Sequence, residues 1–183
     1  MTSNRIALRD LTWIAICAAL ICVCAWITVP ATVPFTLQLL GVFLSVRVLG
    51  GKNGTIAIAV YMLLGLVGLP VFAGFSAGAG VLLGPTGGYI IGFLFIGLIY
   101  WLGGSLTSNR FASCALLLAG LLVCYAFGTA WFMYVFAAKG KPLTLLGSLS
   151  MCVFQYIVPD VLKLAASEII AYRVLKLLER KRV

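Results

Sequence analysis

Asp160 and Lys163 stand three residues apart in the run Val158-Pro159-Asp160-Val161-Leu162-Lys163, at the head of the last long apolar stretch of the chain. On a helix that spacing puts both side chains on one face. Charges in or near a bilayer core cost a few kcal/mol each on insertion scales, so they turn toward a protein interior or a wet cavity rather than toward lipid. The chemistry such a pair offers is recognition of a polar ligand. A second reading stands beside it: Pro159 suits a first helical position and an acid is favoured in a first turn, so Asp160 can serve as a cap with Lys163 snorkelling outward.

The rest of the chain offers little for catalysis. It has no histidine and four acids, of which Asp10 and Glu179 sit near the ends, so no enzyme activity is expected. Six cysteines (Cys17, Cys22, Cys24, Cys114, Cys124, Cys152) all fall in apolar segments without a CxxC spacing, and they read as free packing thiols. Neither a metal nor a cofactor is expected. The stretch Gly84-Pro-Thr-Gly-Gly-Tyr89 lacks the lysine that reaches phosphates in a nucleotide-binding loop, so this chain does not hydrolyse ATP by that route. Uphill transport would draw its energy from a partner or a coupled ion.

The elements that must position the pair are membrane spans. Of the 183 residues, 63% are hydrophobic and 9% charged, with mean hydropathy +1.18, which places the chain among multi-span membrane proteins as one transmembrane domain. Six spans are expected, at about 11–29, 36–49, 55–69, 88–103, 111–138 and 159–178. The second and third are short, separated by the turn signal Gly50-Gly51-Lys52-Asn53-Gly54. Leu143–Tyr156 reads as an interfacial or partly inserted helix, or as the start of the sixth span. The first run is too long for the apolar core of a signal peptide and lacks a convincing cleavage site, so it is expected to remain as a span.

The net charge of +9 reports topology rather than nucleic acid. With both termini inside, the inner side holds Arg5, Arg9, Arg47, Lys52, Arg110, Arg173, Lys176, Arg180, Lys181 and Arg182, and the outer connections only Lys139 and Lys141. That arrangement puts the Pro30–Pro34 loop, the Pro70–Gly87 loop and the head of the last helix on one outer side. The second of these loops is dense in glycine yet carries Phe72, Phe75, Thr86 and Tyr89, which offer ring faces and hydroxyls to a ligand. Gly88 with Gly92, and Ala15 with Ala19, have the four-residue spacing of small residues that lets helices approach closely in lipid; packing within the chain is the first expectation for both. Glu168 falls about 12 Å beyond Asp160 along a helix and is expected to be protonated or paired with a polar neighbour such as Tyr172.

With these residues in view, the chain resembles the BioY family, the biotin-binding S components of energy-coupling factor (ECF) transporters. The resemblance is carried by Val33-Pro-Phe-Thr-Leu-Gln38, by Leu63-Leu-Gly-Leu-Val-Gly-Leu-Pro-Val-Phe-Ala-Gly74, by Gly84-Pro-Thr-Gly-Gly-Tyr-Ile-Ile-Gly-Phe93, and by Pro159-Asp160 followed by Lys163. The third run is the most specific. Together they run in order across most of the chain.

The resemblance implies an all-α integral membrane protein of six transmembrane helices with cytoplasmic termini, in a prokaryotic cell membrane. It implies biotin held beneath the first and second outer loops and contacted by Asp160 and Lys163. A carboxylate can accept the ureido hydrogens, while an ammonium can hold the carboxylate tail or steady Asp160. Tyr89, Thr86 and Ser76 are expected in the polar wall, Phe75 against the bicycle, and Gln38 or Gln155 nearby. Some relatives place an arginine near the Thr86-Gly-Gly-Tyr89 stretch; none stands here, which leaves Lys163 as the base for the tail.

Ala15 and Ala19 match the small-residue pattern with which S components dock on a transmembrane coupling subunit. The implied partners are that subunit, two ATPases and membrane lipid, with no nucleic acid, and transport by toppling of the S component. Solitary biotin uptake and binding of another small vitamin are the alternatives. A membrane enzyme or scaffold would need an intramembrane histidine or acid cluster, which the sequence lacks.

Overall fold

In the computed structural model, which describes residues 8–30, 35–104 and 110–180, helix α1 spans Leu8–Trp26 and carries Asp10 in its first turn. Arg5, Val33, Pro34, Lys181 and Arg182 lie outside the described residues. The helix stops short of the expected boundary because Thr28–Val29 (β1) pairs antiparallel with Phe35–Thr36 (β2), Thr28 opposite Thr36. This small ribbon leads into α2.

Element α2, Gln38–Leu66, is two helical limbs joined at Gly50, whose φ of 78° and ψ of 169° break the helix in a region that only glycine enters freely. The limbs fold back on each other so tightly that a Cβ on Gly54 would lie 2.6 Å from Val46 Cα. The turn expected over residues 50–54 is thus made by Gly50 alone, with Gly51 to Gly54 already helical. The return limb ends at Leu66 rather than Leu69: Val67 N–H reaches Leu63 O, and Gly68 has a positive φ of 108°.

The second connection is ordered. Ala73–Phe75 forms a 3₁₀ turn, Phe72 N–H donates to Ser76 O, Gly78 N–H donates to Gly65 O, and the short helix α3, Ala79–Leu82, follows. Helix α4, Gly87–Gly104, packs along α5, Arg110–Ala138, through close approaches at glycine. A Cβ on Gly88 would meet Trp131 Cβ at 2.3 Å, one on Gly92 would meet Cys124 Sγ at 2.6 Å, and one on Gly120 would meet Ile96 Cα at 2.8 Å. The Gly88/Gly92 spacing therefore serves packing within the chain, as expected.

The last membrane element differs most from the expectation. Helix α6, Leu145–Leu149, is capped by the Thr144 side chain, which accepts from Gly147 N–H. It passes through one wide π turn, Ser150–Phe154, directly into α7, Gln155–Arg180. Pro159 lies inside this continuous helix instead of opening it, and Asp160 is not a cap. The chain tolerates the missing Pro159 N–H just after a wide turn, where the backbone bonding is already irregular. Of the stretch 143–156, Leu143 and Thr144 precede the helix and the rest, from Leu145, is the start of the last span.

Five helical stretches among the described residues are long and apolar enough to cross a membrane, and the bend at Gly50 divides one of them, so six helices make the bundle. The fold is that of an all-α integral membrane protein. Its core runs between α1, α2, α4, α5 and α7 through Ile21, Phe43, Tyr61, Phe72, Ile96 and Leu117. All six cysteines are free thiols.

Candidate binding site

Toward one end of the bundle the starts of α2, α4 and α7, the middle of α5 and the second connection line a cavity of about 160 Å³. Asp160 and Lys163 lie in its wall and are 5% and 7% exposed, so neither a cap nor a snorkelling role describes them. Lys163 Nζ donates to Asp160 Oδ1 at 2.7 Å. The second carboxylate oxygen accepts from Tyr125 Oη on α5 at 2.6 Å. The ammonium also sits 4.3 Å from the ring centroid of Phe35, a cation–π contact that ties the β2 residue to the pair. Phe35 in turn stacks on Tyr156, centroids 6.4 Å apart.

The register of α7 explains this grouping. Cys152, Tyr156, Asp160 and Lys163 follow one another at helical intervals of four, four and three residues and share the face that lines the cavity. Thr86, in the turn just before α4, and Tyr89, Ile90 and Phe93, on its first turns, also line the cavity. Tyr89 Oη and Thr129 Oγ1 are 3.0 Å apart in a hydrogen bond. Gln38, 4% exposed at the head of α2, donates from Nε2 to Tyr61 Oη at 2.7 Å. Its carbonyl oxygen is thereby left as the acceptor for the cavity.

Of the residues expected from the sequence, Asp160, Lys163, Tyr89, Thr86, Ser76 and Gln38 line the cavity. Phe75 and Gln155 do not. Phe75 has a left-handed backbone, φ 57°, which turns its ring outward to stack on Trp26 at 5.2 Å, leaving it 62% exposed. Phe72, fully buried, takes the position against the cavity instead. Gln155 sits about 100° around the helix from Tyr156, is exposed, and bonds its own helix at Met151 O.

Sequence reasoning missed Tyr125, Phe35 and Tyr156, and it read Cys124 and Cys152 only as packing residues although both touch the cavity. A tyrosine hydroxyl in an apolar run needs a partner when buried, and that was the available signal for Tyr125. Glu168 is paired, as expected, and its partner on the facing helix is Arg47, Nε to Oε1 2.7 Å. Arg47 is thus a partly buried partner inside α2 and not only a marker of sidedness.

Ala15 and Ala19 lie on the exposed face of α1, away from α2, so packing within the chain does not account for them. Cys17, Ala18 and Ile21 make the opposite, buried face.

A helical membrane bundle holding a charged, partly open cavity toward one end defines a membrane binding protein for a small polar ligand. The chain belongs to the BioY family, which its sequence matches over residues 1–180. It is 42% identical to the biotin transporter BioY of Thermotoga maritima over 171 residues, 93% of this chain and 98% of that one. It is also 42% identical to a probable biotin transporter BioY of Pyrococcus horikoshii over 166 residues, 90% of this chain and 95% of that one. Its fold matches the crystal structure of the S-component for biotin from an ECF-type ABC transporter, with a TM-score of 0.80 and 32% identity, covering 96% of this chain and 95% of that one.

Proposed function

We propose that this chain is the biotin-binding membrane subunit of an ECF-type transporter and contributes uptake, not catalysis. The observation that carries the reading is the buried Asp160–Lys163 pair in the wall of a partly open cavity, in a chain whose relatives are named for biotin transport. Biotin combines a cyclic urea, an apolar bicycle and a carboxylate tail. Asp160 accepts a ureido N–H and the Gln38 carbonyl offers a second acceptor. Phe72, Ile90, Phe93 and Leu121 form the apolar wall for the bicycle. Lys163 is the one cation among the described lining residues, so it balances Asp160 and holds the tail or a polar end of the ligand. Ser76, Thr86 and Tyr89 complete the polar wall.

The cavity end of the bundle faces outward. Lys139 and Lys141 flank that end, whereas Arg9, Lys52, Arg173 and Lys176 cluster at the other, which the positive-inside rule assigns to the cytoplasm together with both termini. The exposed Ala15/Ala19 stripe docks a transmembrane coupling subunit, and two ATPases on that subunit supply the energy that this chain cannot generate. Toppling of the bundle in the membrane then carries the loaded cavity across.

Titration of purified protein with biotin and a panel of other vitamins tests this. Tight, selective biotin binding that drops by about 2 kcal/mol or more in Asp160→Asn, with folding intact, is the expected result. Binding of a different vitamin, or unchanged affinity in the variant, refutes it. Uptake by cells that lack any coupling subunit would replace the docking step with solitary transport.

A further inference from the structure

We infer that Tyr125 is a positioning residue for Asp160, holding its carboxylate open to the cavity from the facing helix. The inference rests on the biotin-binding reading and extends it to a residue outside the charged pair. Lys163 is three positions from Asp160 on the same helix, so its bond to Oδ1 at 2.7 Å moves with the acid and does not by itself fix where the carboxylate points. A carboxylate bonded only to that lysine is free to turn about its last torsion and present both oxygens to the ammonium. Its lone pairs would then be withdrawn from the cavity.

Tyr125 prevents that rotation. It stands on α5, 35 residues earlier in the chain, and donates to the other oxygen, Oδ2, at 2.6 Å. One donor on each oxygen defines the carboxylate plane. Each oxygen keeps further lone-pair capacity for a ligand N–H. The apolar surroundings make the arrangement stiff: Leu121 and Cys124 flank Tyr125 on α5, and Leu121 and Cys124 are each 2% exposed. The bond from phenol to carboxylate is charge-assisted and short, which favours the hydroxyl staying on the acid. The same bond braces α5 against α7 at the depth of the cavity.

The test is a double-mutant cycle on the full-length protein, with biotin affinity measured for wild type, Tyr125→Phe, Asp160→Asn and the double variant. A hydroxyl acting through Asp160 predicts about tenfold weaker binding in Tyr125→Phe and less than about threefold additional loss when Asp160 is already Asn. Equal losses in both backgrounds, or no loss in Tyr125→Phe, overturns the role. A ligand-free measurement stands apart from binding. The chain has four side-chain carboxylates, so the Asp160 stretch can be assigned in the infrared by difference against Asp160→Asn. That band is expected to shift in Tyr125→Phe, and an unshifted band also overturns the proposal, even if the Asn background binds too weakly to complete the cycle. Wild type that fails to bind biotin at all, while the band shifts as expected, would remove the ligand assignment and keep the geometry.

Discussion

Arg47 on α2 donates from Nε to Glu168 Oε1 on α7 at 2.7 Å, joining residues 121 positions apart inside the bundle. The guanidinium also donates from a terminal nitrogen to Tyr100 Oη on α4 at 3.3 Å, so one cation links three helices. The pair sits on the side of α7 toward the far end of the bundle, roughly 12 Å beyond Asp160 along the helix. It fixes the rotation of the element that carries the binding pair.

Removing one partner leaves the other charge largely out of water and unpaired, which costs up to about 3–5 kcal/mol, whereas replacing both with apolar side chains restores most of that. Arg47→Leu and Glu168→Leu are each expected to lower the melting temperature in detergent sharply, and the double variant to recover toward wild type. Melting temperatures that fall additively would show that the two side chains act independently.

Tyr89 depends on a glycine for its place. A Cβ on Gly128 would lie 2.3 Å from Tyr89 Cδ1, so Gly128→Ala must push the ring toward the cavity or disturb its bond to Thr129. Overpacking of this kind costs about 1–3 kcal/mol, and ligand affinity is expected to fall about tenfold or more. Gly80→Ala is the control, since nothing lies within 4 Å of its Cβ position. Equal affinities for the two variants would mean that Tyr89 moves without consequence for the ligand.

The stack between Trp26 and Phe75 joins the end of α1 to the turn over the cavity. Trp26 Nε1 donates to Pro70 O at 2.8 Å, and the rings lie 5.2 Å apart and 21° from parallel. Phe75 keeps a left-handed backbone there, and its neighbours Ala73 and Ser76 line the cavity. Trp26→Leu removes the ring face and the bond together, so the turn is held less firmly. Ligand dissociation, followed by displacement with excess unlabelled biotin, is expected to accelerate several-fold while association changes little. An unchanged dissociation rate would show that the turn holds its position without the stack.

What could be read before the structure, and what could not, divides along sequence distance. The spans were legible because apolar runs of membrane length have few alternatives, and Asp160 with Lys163 stood out because a bilayer punishes charges that lack an inward face. Arg47 with Glu168, and Tyr125 with Asp160, are tertiary pairs whose partners lie 121 and 35 residues away, beyond any periodicity in the chain. Phe75 was misplaced because its outward ring follows from a backbone angle that residue type does not announce. Gln155 was misplaced for a different reason. With the helix expected to begin at Pro159, the register that puts Tyr156 on the cavity face and Gln155 off it was not available.

Ala15 and Ala19 supply the last prediction. Both are exposed on α1, whose other face buries Ile14, Cys17, Ala18 and Ile21, so larger side chains at 15 and 19 meet no atom of the bundle's core. Helices in lipid associate by close backbone approach at small residues, and an indole on that stripe keeps a partner helix several ångströms away. Ala15→Trp and Ala19→Trp are therefore expected to bind biotin as wild type does and to melt at the same temperature, yet to lose uptake in cells that supply the coupling module. Co-purification of that module with the tagged subunit should fall in parallel. Retained uptake with both substitutions present would move the docking surface to another face of the bundle, and a parallel loss of ligand binding would mean that the stripe supports the fold instead.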